Sequence, residues 1–345
     1  MESIHAQRKN EHLSLAELNF RKNNPVSSLE QMRVIHRPLP EIARIDVDLS
    51  VQNPEFAWQY PFYIEAMTGG SEKTGAINQQ LARAAAATGI AMAVGSQSIA
   101  IKEPEQIQSF SAVRTEYPDG FLIANIGAGH NADHAQQAVD MLQANALEVH
   151  VNTVQETVMP EGDESFYWIE NIKNIVSKVN VPVIVKEVGF GFDAQTLSEL
   201  AQMGVQYVNI GGRSGTNFAE IEDRRDRENP YQYQYLYDWG QTTAESLLEA
   251  KITDKKPTIF ATGGIQTPLD ILKAQILGAQ TVGIAGHFLH TLLTTGEDGL
   301  INEIKLWQRQ LVDLYALVGA RNATELSQVP YVLNSELKNY YDQRS

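Results

Sequence analysis

Residues 150–163, HVNTVQETVMPEGD, set His150, Asn152, Gln155 and Glu156 within seven positions at the end of an apolar strand pattern. His150 has the chemistry of a general acid or hydrogen-bond donor, and equally of a structural strand histidine. Glu156, a lone carboxylate beyond the strand, fits a solvated loop. It also fits a Mg2+ ion whose shell is completed by water and a substrate diphosphate. Gln155 can donate to the same phosphate oxygens. Lys186 ends the run VPVIVK and is expected to be largely buried. A buried ammonium is costly unless an anion compensates it. Strand alternation turns Glu187 to the opposite face, so a bound anionic group is the better partner for Lys186; snorkelling to the rim is the alternative. Arg8, Lys9 and His12 form a basic cluster near the start of an acidic chain. Such a cluster fits capture of a strongly negative group, or else a solvated tail.

Glycine turns add a second anion-binding signal. Residues 211–216 (GGRSGT), 261–265 (ATGGI) and 285–286 (AG) each follow an apolar run. In barrels the turns after the last strands commonly hold a phosphate, because free backbone N–H groups at a helix start converge on it.

Positioning these groups takes repeated strand–helix units. Apolar runs at 62–67, 90–94, 121–126, 147–151, 183–188, 207–210, 258–261 and 281–285 make eight strands. Helical patterns at 74–88, 104–115, 132–144, 166–179, 194–203, 242–251, 268–277 and 289–295 separate them. Eight alternating units over about 230 residues fit a closed (β/α)8 TIM barrel better than a doubly wound open sheet. The fourth strand alternates: Leu147, Val149 and Val151 on one face, Glu148, His150 and Asn152 on the other. An inward face that turns polar near the carboxyl-end mouth is what a barrel site requires. Asn125 and Lys186 lie near the ends of their own strands. The expected organisation is an N-terminal extension over 1–60, a barrel over 61–295 and a helical tail of the same domain over 296–345. The basic leader offers no apolar anchor and is expected to order only when ligand arrives. The charged loop over 211–238 is long enough for a lid or a subunit contact.

Composition sets the outer limits. Lys+Arg number 27 against 42 Asp+Glu, a formal charge of −15. That argues against nucleic acid or an anionic membrane as partner, though a few local cations still admit a small anionic substrate. No cysteine is present, which removes disulfides, thiolate metal sites and a cysteine nucleophile. The start MESIHAQRKNEH is too polar for a signal peptide and no apolar run is long enough to span a bilayer, so a cytoplasmic enzyme is expected.

Taken in order along nearly the whole chain, several segments resemble the type II isopentenyl-diphosphate delta-isomerases, the flavin-dependent class. They are RKNEH at 8–12, AMTGG at 66–70, GSQ at 95–97, ANIGA at 124–128, HVNTVQE at 150–156 and PEGD at 160–163. They continue with VKEVGFG at 185–191, GGRSGT at 211–216, ATGGI at 261–265 and AG at 285–286. The resemblance implies FMN held by Ala66, Met67, Thr68, Ser96, Asn125, Lys186, Ser214, Thr216, Gly263, Gly264, Ala285 and Gly286. It implies catalytic roles for His150, Gln155 and Lys186. Arg8, Lys9 and Gln155 would bind the substrate diphosphate, His150 and Asn152 would line its pocket, and Glu156 would ligate Mg2+. The implied reaction moves a proton across an allylic system, interconverting isopentenyl and dimethylallyl diphosphate on reduced FMN, with NADPH as reductant. A homo-oligomer, tetramer or octamer, is implied too. One departure is Ser98, where many members carry arginine after GSQ; one cation of the diphosphate site is then either missing or supplied by Lys102 or Arg213. The main rival is an FMN-dependent 2-hydroxy acid oxidase, which needs a His–Arg pair after the last strands. His287 sits there, but no arginine adjoins it. A barrel nucleotide dehydrogenase would need a cysteine. A non-catalytic flavin- or phosphate-binding protein would need neither the substrate cations nor the Mg2+ carboxylate.

Overall fold

Period-two alternation decides what each barrel strand does with its side chains. In the computed structural model, which describes residues 3–23 and 26–345, the eight expected strands close into a parallel barrel. They are β1 (Phe62–Ile64), β2 (Met92–Ala93), β3 (Leu122–Gly127), β4 (Ala146–His150), β5 (Val183–Lys186), β6 (Tyr207–Asn209), β7 (Thr258–Ala261) and β8 (Thr281–Ile284). Closure is the β8–β1 pairing, with Val282 opposite Phe62 and Ile284 opposite Ile64. Outward residues such as Ile64, Met92, Leu147, Val149 and Val185 pack under the surrounding helices. Inward residues Tyr63, Ile123, Ala146, Ile184, Tyr207 and Phe260 fill the lower barrel. A hairpin of Val51–Gln52 against Ala57–Trp58 caps that end. Its Phe56 ring lies 4.7 Å from Tyr207 and 5.6 Å from Phe260, and Trp58 lies 5.3 Å from Tyr63.

Two residues further along each strand the same inward face turns polar. Glu65, Asn125, Glu148, Lys186, Asn209 and Thr262 are all buried there. The barrel therefore has an apolar floor and a polar storey above it, and this second layer is what faces the site.

Several elements differ from expectation. The leader is a helix, Ile4–Asn23, anchored by buried Ala6 and Leu13. With Phe20, whose ring stacks on His290, these lie at seven-residue intervals along one narrow stripe. Gln155 and Glu156 sit on a short helix, Thr153–Val158, instead of a loop. The charged segment over 211–238 contains a helix, Phe218–Arg225. The helix expected at 289–295 runs on as Gly286–Val318, bent where Gly296 takes a φ of 75°. The extension and the tail also meet: Met32–Val34 pairs antiparallel with Tyr331–Leu333. Helix Ser335–Arg344 is tied to the barrel helix Thr243–Ile252 by Arg344 and Tyr340, each 2.7 Å from the Glu249 carboxylate.

Because Leu13 is one of few apolar anchors of the leader helix, Leu13→Ala should loosen that helix and spare the barrel. Limited proteolysis should then cut within residues 3–23 faster than in the parent, at an unchanged melting temperature. Equal cutting rates would show that the helix is held by other contacts.

Candidate active site

The carboxyl ends of the strands surround a cavity of about 490 Å³. Ala66, Met67, Thr68, Ser96, Asn125, His150, Asn152, Gln155, Glu156, Lys186, Thr216, Gly263, Gly264, Ala285 and Gly286 all line it. Arg8 and Lys9 reach it from the leader helix, so residues expected from distant segments converge on one space. Ser214 does not join them. Its hydroxyl turns to the Arg213 carbonyl, and it lines a separate groove with Val26, Ser28 and Thr242. Lys102 lines the cavity, whereas Arg213 lies outside it and pairs with Asp238 at 3.2 Å. Of the two cations available to replace the arginine missing at Ser98, only Lys102 is placed to do so.

The glycine turns pack backbone against backbone. Gly263 has a φ of +107°, and a Cβ there would fall 2.0 Å from the Gly212 carbonyl oxygen. No side chain fits between these turns; the Gly211 and Gly212 N–H groups are engaged by Asn209 Oδ1 and the Thr262 carbonyl, so a ligand's approach is at Gly263 and Gly264, which line the cavity. Helix Gly286–Val318 begins beside them with no side-chain cap at Ala285. The first N–H groups of a long helix are thus free at the cavity wall, a ready phosphate site. Thr68 adds a buried hydroxyl without a partner among the described residues. These features fit the phosphate and ring edge of FMN.

Beneath the cavity Lys186 is buried with its Nζ donating to the Glu187 carbonyl at 3.1 Å, and 3.8 Å from Glu65 Oε1. The Glu187 carboxylate does turn away, accepting the N–H groups of Val188, Gly189 and Phe190. Burial pushes it up to about 7, against the pull of those N–H groups and Lys186. Glu65 escaped the sequence reading; the available signal was its place two residues after inward-facing Tyr63. It accepts from Tyr63 Oη at 2.8 Å, Asn209 Nδ2 at 2.6 Å and the Ala66 N–H at 2.8 Å. Glu148 accepts from Asn125 Nδ2 at 2.9 Å, and burial, then Glu65, pushes its carboxyl well above the carboxylate range. His150 Nδ1 lies 2.9 Å from Asn125 Oδ1. Burial, then the charges of Lys186 and Lys9, hold its pKa down to about 3, so the ring is neutral.

The opposite wall joins the β4 segment to the leader. Asn152 Nδ2 donates to Glu156 Oε1 at 2.7 Å and to Gln155 Oε1 at 3.2 Å. Glu156 Oε2 accepts the Asp163 N–H at 2.8 Å. Gln155 Nε2 donates to Glu222 Oε1 at 2.7 Å, and His12 Nε2 lies 2.9 Å from the same oxygen. Arg225 pairs with Glu222 and, at 2.8 Å, with Glu161, which also lies 3.3 Å from Arg8. Glu222 is a second residue the sequence hid, since EIEDRRDRENP has the look of a solvated charge run. Lys9 has no hydrogen bond or ion pair among the described residues. Burial, then Arg8, lowers it to about 8, with Glu222 opposing. No group of three or more His, Asp or Glu able to hold a metal occurs among the described residues. A cation at Glu156 would therefore need ligand oxygens.

Burial would raise Glu222, but His12, Arg225 and the Gln155 amide overcome it and hold the carboxyl at about 2. His12 is itself held below its ordinary value by burial, so at neutral pH Arg225 carries the charge pairing. A carboxyl with a depressed folded pKa stabilises above its unfolded value and loses that stabilisation as pH falls through the folded one. Glu222→Gln should cost roughly 2–3 kcal/mol at pH 7. The difference from the parent should shrink as pH drops from about 4.5 to about 2, followed by denaturant unfolding. A pH-independent difference would mean that Glu222 stabilises only by shape.

Residues 112–332 match the family described as FMN-dependent dehydrogenase. The chain is 49% identical to the isopentenyl-diphosphate delta-isomerase of Latilactobacillus sakei subsp. sakei (strain 23K), over 99% of this chain and 97% of that protein. It is 44% identical to the isopentenyl-diphosphate delta-isomerase of Streptomyces sp. (strain CL190), over 97% of this chain and 92% of that one. Among solved structures, a mutant flavocytochrome b2 with benzoylformate superposes with a TM-score of 0.67 at 19% identity, covering 94% of this chain and 80% of that one. A mutant mandelate oxidase carrying an FMN adduct gives 0.61 at 16% identity, over 94% of this chain and 92% of that one. The structural likeness establishes the barrel; the sequence identity, sustained from the leader helix to the tail, goes further. With its glycine cradle, buried Lys186 and cationic leader in place, this chain belongs to the flavin-dependent, type II isopentenyl-diphosphate delta-isomerase family.

Proposed function

We propose that this cavity interconverts isopentenyl diphosphate and dimethylallyl diphosphate, with FMN against the glycine turns and the diphosphate beneath the leader helix. The observation that carries this reading is Lys9: a cation at the cavity wall, near Arg8, with no anion paired to it among the described residues, Glu222 acting on it only from a distance. A diphosphate supplies that anion. In the reaction C2 loses a proton and C4 gains one, so no net oxidation occurs. Arg8, Lys9 and the Gln155 amide bind the diphosphate. Glu156 offers one carboxylate to Mg2+, and diphosphate oxygens and water complete the shell. When bound in its reduced form, FMN supplies acid–base groups at its N5/N1 edge, after reduction by NADPH. Lys186, with Glu65 Oε1 3.8 Å away, stabilises negative charge on the ring. His150, neutral, and Asn152 border the hydrocarbon part of the substrate. The leader helix covers the mouth and limits the entry of water to the reacting carbons. On this reading the enzyme is cytoplasmic and a tetramer or octamer. Among the described residues no helix is long and apolar enough to cross a membrane.

The oxidase reading loses support in the site itself. His287, at the expected place, spends both ring nitrogens on Gln266 at 3.1 Å and Glu303 at 2.8 Å. It therefore has no free nitrogen for a substrate hydroxyl.

Two measurements follow from this assignment. Lys9 must be protonated to hold an anion, so kcat/KM for isopentenyl diphosphate should fall as pH rises through about 8. Lys9→Arg should move the fall to higher pH; a fall at an unchanged pH would assign it to another group. For the reaction itself, chemically reduced holoenzyme with isopentenyl diphosphate in D2O should place deuterium in both substrate and product. Reductant should be needed to start turnover and not be consumed with it. Stoichiometric consumption of NADPH, or product without solvent deuterium, would sink the proton shift. Peroxide release from lactate or glycolate would favour the oxidase.

A further inference from the structure

We infer that Glu148 is a positioning residue: through Asn125 it fixes His150 with its proton on Nδ1, leaving Nε2 as a hydrogen-bond acceptor at the cavity. The argument starts one storey below the ligand site. Glu65 already receives three donors, from Tyr63, Asn209 and Ala66, and has the Lys186 ammonium nearby. Glu148 is buried in the same inward layer as Glu65, whose charge, after burial itself, does most to raise its carboxyl. Its Oε2 contacts the Asn125 amide, while its buried Oε1 has no donor among the described residues. Two adjacent buried carboxyl groups hold one proton between them, because both cannot ionise in a low dielectric. Of the two, Glu65 has three donors and Glu148 one. The proton therefore sits on Glu148, on the oxygen that lacks a donor, and points to Glu65.

The rest follows from donor–acceptor matching. Glu148 Oε2 is left as an acceptor, so Asn125 must present its NH2 to it. The reverse orientation would set two acceptor oxygens 2.9 Å apart. Asn125 Oδ1 is then the atom facing His150 Nδ1 at 2.9 Å, and that nitrogen must carry the hydrogen. A neutral imidazole has only one N–H, so Nε2 is bare. The charged groups around the ring, Lys186 and Lys9, with His130 beside them, disfavour a second proton. His150 thus meets the contents of the cavity as an acceptor for an N–H or O–H group, with no proton of its own to give from Nε2.

This inference rests on the cavity being the isomerase site, and the test keeps the two apart. Glu148→Gln reproduces the protonated acid: its NH2 donates to Glu65 and its carbonyl accepts from Asn125. Glu148→Asp keeps a carboxyl but draws it back from both partners. With reduced holoenzyme, Glu148→Asp should lower kcat about tenfold or more at unchanged KM and flavin spectrum, and Gln should restore kcat to within about threefold of the parent. A Gln variant as slow as Asp would overturn the assignment of the proton. An Asp variant with parental kcat, or one that loses FMN or raises KM instead, would overturn the positioning role. The tautomer has its own readout in the 15N histidine spectrum of the holoenzyme. His150 should be Nδ1-protonated in the parent and in Glu148→Gln, and this should change in Glu148→Asp. An Nε2-protonated parent would overturn the inference even if turnover is normal. A parent that leaves isopentenyl diphosphate unchanged would overturn the proposed reaction and leave the spectrum to decide this one.

Discussion

The buried ammonium of Lys186 is the charge around which the upper barrel is arranged. Its attraction to Glu65 at 3.8 Å is worth about 4 kcal/mol at an effective dielectric of 20. Removing each of the two ions from water costs several kcal/mol, so the pair alone does not recover its own burial. The shortfall explains the company it keeps. Tyr63, Asn209 and the Ala66 amide all donate to Glu65, and Thr262 in turn donates to Asn209 Oδ1 at 2.8 Å. Five inward positions on four strands are thereby committed to holding one cation at the floor of the cavity. A buried network of this kind is costly when half-satisfied and rigid when complete. Rigidity is what a cofactor ring needs from the surface it lies on.

The roof is built on a different principle. Its cations come from a helix that touches the barrel through few apolar side chains, and from Arg225, on a short helix after β6. Glu222 joins these pieces: His12 from the leader, Arg225 from its own helix and Gln155 from the β4 segment all meet its carboxylate. One buried anion thus orients the amide expected to touch substrate and pins the helix expected to cover it. The floor is fixed by hydrogen bonds within the barrel. The roof is fixed by one shared partner among three segments.

What the sequence made legible follows from this division. Strand alternation is local, so β4 could be assigned its faces from Leu147, Glu148, Val149 and His150, and the barrel from eight such runs. The glycine turns carry their signal in residue type, and all but Ser214 of the residues expected at the cavity reach it. Ser214 failed because a backbone turn fixes where its neighbours' amides point and says nothing of its hydroxyl. Glu65 and Glu222 stayed hidden because their partners are far away in the chain: Asn209 for the first, His12 and Gln155 for the second. The leader helix was hidden for a related reason. Ala6, Leu13 and Phe20 suffice where the barrel already supplies the surface, and one contact every seven residues is a faint period. The pairing of Met32–Val34 with Tyr331–Leu333 is longer in range still.

The likeness to flavocytochrome b2 and mandelate oxidase shows how little the barrel itself decides. A glycine cradle at the last strands serves any phosphate-bearing flavin, and the fold does not distinguish an oxidation from a proton shift. The distinguishing groups lie elsewhere. At the end of β8 this chain places His287, which its own neighbours Gln266 and Glu303 engage on both sides. At the end of β4 and on the leader it places Asn152, Gln155, Glu156, Lys9 and Arg8 around the cavity, the set proposed to receive the diphosphate, Glu156 through a metal ion. The chemistry is thus assigned by segments added above a common floor. The floor's contribution is to fix Lys186 in place and keep His150 neutral beneath whatever those segments hold.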